Sequence, residues 1–331
     1  FSALAPTAPA TDVSTEPVAN PAPVPSSPAP VAPLWAGVTG ELQIALKKIV
    51  YSPQVQVADI GGAVKITPDA ITWDNLHAML TSGGAFKADG GLRFDAKQPQ
   101  AYGLKADVAL TGFEPAPILR ALSPGKPAAI LGKFDFTTQL SGRASDPTKF
   151  GESLIGDIHL TSNGGTIQAL SMRDAAVVDG VSKAAALVGL FGQLSGKAPN
   201  KDVEKVRAVA EVTSQLAKIS FDRFNVVAGR DEKNNFAIKD LTLRSPFLNL
   251  VGTGQVTYQP GVPFLRQPLL LTLKLGARDQ LAENLRTLKL ISGQPDKEGY
   301  FALVEDVKLD GSLQSIGTSQ LSAMLKRALT N

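Results

Sequence analysis

The chain has 331 residues, 44% of them hydrophobic but only 6% aromatic, and its 33 basic and 30 acidic residues leave a net charge of +3. That balance and the scarcity of rings exclude a basic nucleic-acid stripe and an aromatic stacking platform. The absence of cysteine excludes disulfides, thiolate metal sites and cysteine nucleophiles.

Residues 1–36 stand apart. They are nearly all Pro, Ala, Val, Ser and Thr, with Asp12 and Glu16 as their only charges. Such a segment has neither a helical nor a strand period and leans toward extended polyproline II. It reads as a Pro/Ala-rich linker, a spacer or disordered tail ahead of a folded domain at 37–331. The chain opens on Phe1 rather than Met, which reads as a processed or truncated chain and leaves room for a signal or membrane anchor removed upstream. No apolar run reaches the ~20 residues that span a bilayer.

From residue 37 the pattern is β. One unit recurs, glycine followed by alternating apolar residues: Gly40-Glu-Leu-Gln-Ile44, Gly62-Ala-Val-Lys-Ile66, Gly84-Ala-Phe-Lys-Ala88, Gly90-Gly-Leu-Arg-Phe94, Gly132-Lys-Phe-Asp-Phe136, Gly156-Asp-Ile-His-Leu160 and Gly254-Gln-Val-Thr-Tyr258. Period-two alternation gives each strand one apolar and one polar face. The glycine allows a turn or a bulge. Leu104–Leu110, Leu241–Leu250, Leu269–Leu275 and Phe301–Leu309 read as further strands. In Leu269–Leu275 the residues Leu269, Leu271, Leu273 and Leu275 share one face, and Leu270 shares the other with Thr272 and Lys274. The glycine pairs Gly61-Gly62, Gly83-Gly84, Gly90-Gly91 and Gly164-Gly165 read as hairpin turns.

Helices interrupt the meander. Pro115–Leu122 begins with two prolines near its N-terminus, where proline is tolerated. Pro147–Leu154 follows Asp146, a suitable cap. The long helical region covers about 174–218: Asp174–Leu194, with Val177, Val181, Val188 and Phe191 on one stripe, then Lys201–Lys218. Together these predict an αα-hairpin across the sheet. Asp279–Leu290 and Ser319–Leu329 are shorter helices. The domain thus divides into an N-terminal β part, 37–145, and a part with the long helices, 146–331.

No cluster of unlike functional groups emerges. His77 and His159 are the only histidines, and neither has a partner at metal-ligand spacing. The carboxylate pairs Asp231-Glu232 and Glu305-Asp306 are adjacent in sequence, and neighbours on a strand face opposite sides, unlike the two carboxylates of a glycosidase. Catalysis, a metal and a cofactor are all absent from the expectation.

The order of the segments resembles the AsmA family of bacterial envelope proteins. The resemblance runs through Val38-Thr-Gly-Glu-Leu-Gln-Ile-Ala-Leu46, Ile60-Gly-Gly-Ala-Val-Lys-Ile66, Gly112-Phe-Glu-Pro-Ala-Pro-Ile-Leu119, Leu131-Gly-Lys-Phe-Asp-Phe136, Leu154-Ile-Gly-Asp-Ile-His-Leu160 with Asn163-Gly-Gly-Thr-Ile167, Phe221-Asp-Arg-Phe224 and Val251-Gly-Thr-Gly254. It covers about residues 37–315 and lies in the order of degenerate motifs rather than in one motif. It implies a non-enzymatic, elongated β-structure with an apolar concave face, related to bridge-like lipid-transfer proteins and associated with outer-membrane lipid balance. Typical members carry an N-terminal transmembrane helix, which this chain lacks; attachment through a removed or absent anchor is the corresponding expectation.

The expected fold is mainly β with a few helices: a long, antiparallel, curved meander forming a groove or an incomplete barrel or sandwich, with the αα-hairpin packed across it. One-sided strands have two solutions. Two sheets close on each other, or one curved sheet leaves a trough. The trough would be lined by Phe134, Phe136, Ile158, Leu160, Leu271 and Leu273, with the stripe Val177, Val181, Val188 and Phe191 as lid. Its ligand would be a phospholipid or another acyl-chain lipid, and its place the periplasm. A closed core would instead make the chain a structural or protein-interaction module of the cell envelope. Nucleic acid is not an expected partner.

Overall fold

The structure, a computed structural model, describes residues 32–50, 56–80, 83–122, 128, 130–168, 201–231, 233–263, 266–312, 315–317 and 319–330. Fourteen strands form one antiparallel sheet. Its path is β1 (Gly40–Val50), β2 (Gln56–Ile66), β3 (Ala70–Leu80), β4 (Ala85–Phe94), β5 (Tyr102–Phe113), β7 (Phe134–Ala144), β8 (Ile155–Ser162), β11 (Arg223–Arg230), β12 (Phe236–Arg244), β13 (Leu248–Val256), β14 (Pro268–Ala277), β16 (Val307–Ser312) and β17 (Ser315–Gly317), with β15 (Phe301–Ala302) also on β14. The first and last strands do not meet, so the sheet is an open meander and not a barrel. The short strands β6 (Ile130–Gly132), β9 (Gly165–Ile167) and β10 (Ile219–Phe221) leave it to form a second sheet in the order β10-β9-β6.

Bulges bend the meander. Register shifts fall in β2–β3 around Gly61, in β3–β4 between Trp73 and Leu76, in β5–β7 between Leu110 and Phe113, and on β12 between Ile238 and Leu241. A bulged strand turns and its twist increases. At two of these sites Asp59 (φ 48°) and Asn75 (φ 49°) occupy the left-handed region, which short polar side chains tolerate better than most. The Asn75 N–H donates to Asp89 Oδ1 across the sheet at 2.6 Å.

The helices are α1 (Pro115–Leu122), α2 (Phe150–Ser153, entered through a 3₁₀ turn at Pro147–Lys149), α3 (Lys201–Ala217), α4 (Asp279–Thr287) and α5 (Ser319–Thr330). Asp146 caps the 3₁₀ turn, as its position in the sequence implies, by accepting from the Thr148 N–H at 2.8 Å. The Thr148 hydroxyl, which donates to the same oxygen at 2.6 Å, and that N–H hold its carboxyl below the usual range. α3 buries Val209, Val212 and Leu216, and α5 buries Met324, Leu325 and Ala328; the spacings are those of one helical face. α3 packs on α4 and α5, and α5 on β16. With β13 and β14 they close the C-terminal part of the apolar face into a core. The first helix of the expected hairpin, with Val177, Val181, Val188 and Phe191, lies outside the described residues. Among the described residues no helix is long and apolar enough to cross a membrane.

Three local expectations need correction. Leu241–Leu250 is not one strand but the two arms of a hairpin: β12 stops at Arg244 and β13 begins at Leu248. Pro246 cannot donate in a ladder, and the turn is closed by the Ser245 N–H donating to the Leu248 carbonyl at 2.8 Å. Phe301–Leu309 is likewise split into β15 and β16. Gly61-Gly62 and Gly90-Gly91 are inside strands, not in turns. A Cβ on Gly61 would lie 2.6 Å from the His77 ring, and one on Gly90 would lie 2.8 Å from the Trp73 ring and 2.5 Å from the Lys105 carbonyl oxygen. These glycines make room for a large neighbour on the next strand.

The same logic predicts the effect of Gly156→Ala. A Cβ there would sit 2.2 Å from the Gln139 carbonyl oxygen on β7, a backbone atom that cannot move without opening the β7–β8 ladder. The expected cost is about 2–3 kcal/mol, read as a shift of the urea midpoint.

Candidate functional site

Register, not proximity in sequence, assembles the face. One row runs across nine strands as Phe86, Leu110, Phe136, Leu160, Val226, Leu241, Gly252, Leu273 and Val307. The next row on the same face is Ala88, Val108, Thr138, Ile158, Ala228, Ile238, Gly254, Leu271 and Leu309. The opposite face reads Asp89, Asp107, Gln139, Asp157, Gly229, Ala237, Gln255, Leu270 and Asp310. Across these nine strands the sheet is one-sided because strands of period two pair in register, and the bulge between Ile238 and Leu241 returns β12 to the same face.

The structure therefore gathers five of the six candidate lining residues into two adjoining rows. Their surroundings differ. Leu271 and Leu273 are buried, 6% and 4% exposed, beneath the C-terminal helices. The residual cavity in that part of the core is about 10 Å³, lined by Val212, Leu248, Leu281 and Met324 among others, room for one water at most. Phe134, the sixth candidate, is buried in a ring cluster with Phe113, Phe221 and Phe224, at centroid distances of 5.8–6.2 Å. Leu160 is half-buried at the border of that core. Phe136 and Ile158 are half-buried and, with Phe86, Val108, Leu110, Leu140 and Val226, belong to none of the three packed cores of the described residues.

Both ends of this patch are stopped by rings. At one strand end stands the phenylalanine cluster. At the other, Trp35 and Phe94 pack on Tyr102, at centroid distances of 6.0 and 5.1 Å. Trp35 Nε1–H donates to the Thr67 carbonyl at 2.9 Å, and the Leu34 N–H donates to the Tyr102 hydroxyl at 3.1 Å. The last residues of the Pro/Ala-rich segment are thereby part of the folded unit. Between Leu104 and Leu110 a strand covers about 20 Å, at roughly 3.4 Å per residue.

Across the nine strands of these rows one charge lies in register on the apolar face: Arg230, opposite Gly156 on β8 and Phe236 on β12. Its guanidinium is 5.5 Å from the Phe236 ring centroid and 5.8 Å from that of Tyr258. It donates to the Gly151 carbonyl at 2.7 Å. Burial pulls its pKa below the usual guanidinium value, against the opposing fields of Tyr258 and Asp231. Sequence reading missed Arg230, because β11 reads Arg-Phe-Asn-Val-Val-Ala-Gly-Arg and its alternation alone does not fix which face the arginine takes. The ring contacts that end the patch were equally invisible, since they join residues far apart in the chain.

The polar side carries paired charges. An open concavity of about 660 Å³ there is lined by Lys105, Asp107, Gln139, Asp157, Asp231 and Lys239, among others, and is also bordered by Arg230. Its charges balance, and Lys239 Nζ donates to Asp157 Oδ1 at 2.6 Å, holding that carboxyl below the usual range. The pair is exposed and contributes no more than about 1 kcal/mol. His77 Nδ1 lies 2.9 Å from the Asn75 carbonyl, and His159 faces Thr137 and Val227 across the polar side. Among the described residues no three potential ligands gather to hold a metal. Comparison with protein-family models, with curated proteins and with solved structures gave no match.

Proposed function

We propose that the protein is a non-enzymatic lipid-handling component of the bacterial envelope, which takes the acyl chains of a phospholipid along the apolar face of its sheet. The observation that carries this reading is the patch of Phe86, Val108, Leu110, Phe136, Leu140, Ile158 and Val226, which is continuous, half-buried and outside every packed core of the described residues. Each methylene removed from water there contributes about 0.8 kcal/mol, without any polar group to fix the chain along its length. Arg230 stands at one end of the face, where a phosphate would meet a partly desolvated guanidinium rather than a carboxylate. The open antiparallel meander is consistent with the AsmA resemblance, and on that resemblance the proposed setting is the periplasm, with membrane association through a removed or absent N-terminal anchor and a part in lipid transport or outer-membrane assembly.

The test is solvent extraction and mass spectrometry of the chain expressed in the periplasm of a Gram-negative host and purified without detergent. The expected result is co-purified phospholipid near one per chain or above. Protein free of phospholipid that also fails to take up a fluorescent acyl-chain probe would overturn the reading. The second reading, an interaction module of the envelope with a closed core, is favoured by the sealed packing under α3, α4 and α5; it predicts that second outcome.

A further inference from the structure

The sheet has two edges of unequal kind. β17 is three residues long, whereas β1 is eleven residues long and, among the described residues, pairs with β2 alone. Natural edges are kept short, bent or charged because an open ladder recruits another strand. β1 carries charges, Glu41, Lys47 and Lys48, but it is long and also presents Leu42, Leu46 and Val50 at 50–59% exposure. A union of β1 with β17 would join unlike edges and propagate as a filament, and three residues offer little to pair with. A union of β1 with itself closes after two copies.

The sequence of β1 is self-complementary in one register. Place a two-fold axis through Ile44 and run the strands antiparallel. Glu41 then lies opposite Lys47 of the second copy, Leu42 opposite Leu46, Ile44 opposite Ile44, and Lys48 opposite the side-chain-free Gly40. Even positions meet even positions, so Leu42, Ile44 and Leu46 share one side with Lys48, and Glu41 and Lys47 share the other with Ile49. Moving the axis to Ala45 sets Lys47 against Gln43, and moving it to Gln43 sets Glu41 against Ala45. Of the three registers only the one at Ile44 sets Glu41 against Lys47, and it does so twice by symmetry, while the third charge, Lys48, meets no like charge.

We propose that β1 is a homodimer edge, paired antiparallel with β1 of a second copy about an axis at Ile44, which joins two 14-stranded sheets with their apolar faces on the same side. The proposal is independent of the lipid reading, since it rests on the edge and not on the occupancy of the face.

Sedimentation of the full 331-residue chain at about 100 µM tests it, a concentration chosen because a one-strand interface is at the small end of the size range. A dimer is expected. Glu41→Lys and Lys47→Glu, both at exposed positions, are each expected to weaken it roughly tenfold by setting like charges opposite each other, and the double variant to restore it. The chain has no cysteine, so Ile44→Cys gives a clean second readout. Paired residues of antiparallel strands are about 4.5–5.5 Å apart at Cα, within reach of a disulfide, and a covalent dimer is expected on oxidation. A monomer at every concentration, an assembly larger than two, or a double variant as weak as the singles would overturn the proposal.

Discussion

Leu271→Ala is expected to destabilise the protein by about 3–4 kcal/mol, while Leu270→Ala, one residue away, changes it by no more than about 0.5 kcal/mol. Leu271 is 6% exposed and Leu270 55%. Leu271 is paired with Gly254 on one side and Leu309 on the other, and its Cδ2 occupies the space a Gly254 side chain would need, 2.5 Å from an ideal Cβ there. Truncation therefore opens a void over a neighbour with no side chain to relax into it. Leu269 and Leu273 flank the gap on the same strand, and Met324 above it is already buried at 1% exposure, so little can collapse inward. Leu270 lies between Gln255 and Asp310 on the polar face and loses only partial cover. Urea denaturation of the two variants gives the comparison directly. Equal losses would mean that the face assignment of β14 is wrong.

That contrast was legible in the sequence: seven residues of strict alternation in Leu269–Leu275 fix two faces with no knowledge of the neighbours. The helices were legible for a similar reason. Pro115–Leu122 begins and ends as its prolines and apolar spacing imply, and Lys201, Asp279 and Ser319 all begin helices. Boundaries failed where a local signal was overlooked, as at Pro246, which ends β12 before the apolar run does. The glycine pairs misled for a deeper reason. Gly61 and Gly90 are needed by His77 and Trp73 on β3, and which side chain lies over which glycine depends on a register set by bulges at Asp59 and Asn75. The candidate site shows the same limit. Period two placed Phe134, Phe136, Ile158, Leu160, Leu271 and Leu273 on inward faces, but the helices that seal Leu271 and Leu273 and the rings that enclose Phe134 are long-range contacts. Burial distinguishes a core leucine from a groove leucine, and alternation does not.

Ile158→Glu separates the two readings of this half-buried patch, and its expected result is a folded protein that has lost its lipid. Ile158 lies at the middle of the sheet, between Thr138 on β7 and Ala228 on β11, and is half-buried outside the packed cores. If the face is an accessible trough, a carboxylate there keeps its water, the circular dichroism and melting temperature change little, and the co-purified phospholipid falls at least tenfold, because an acyl chain laid over the site would have to strip a charge of solvent. If the face is sealed, the same carboxylate is forced into an apolar interior and the protein loses several kcal/mol or titrates to the neutral acid. Ile158→Ala is the companion variant: in a trough it costs about 1 kcal/mol or less, since solvent or ligand can fill the space, and in a close-packed core it costs 2 kcal/mol or more. A pair of variants that unfold together would assign the patch to the core and leave the acyl chain no place on this sheet. A stable, lipid-free glutamate variant would make the same rows of side chains the binding surface.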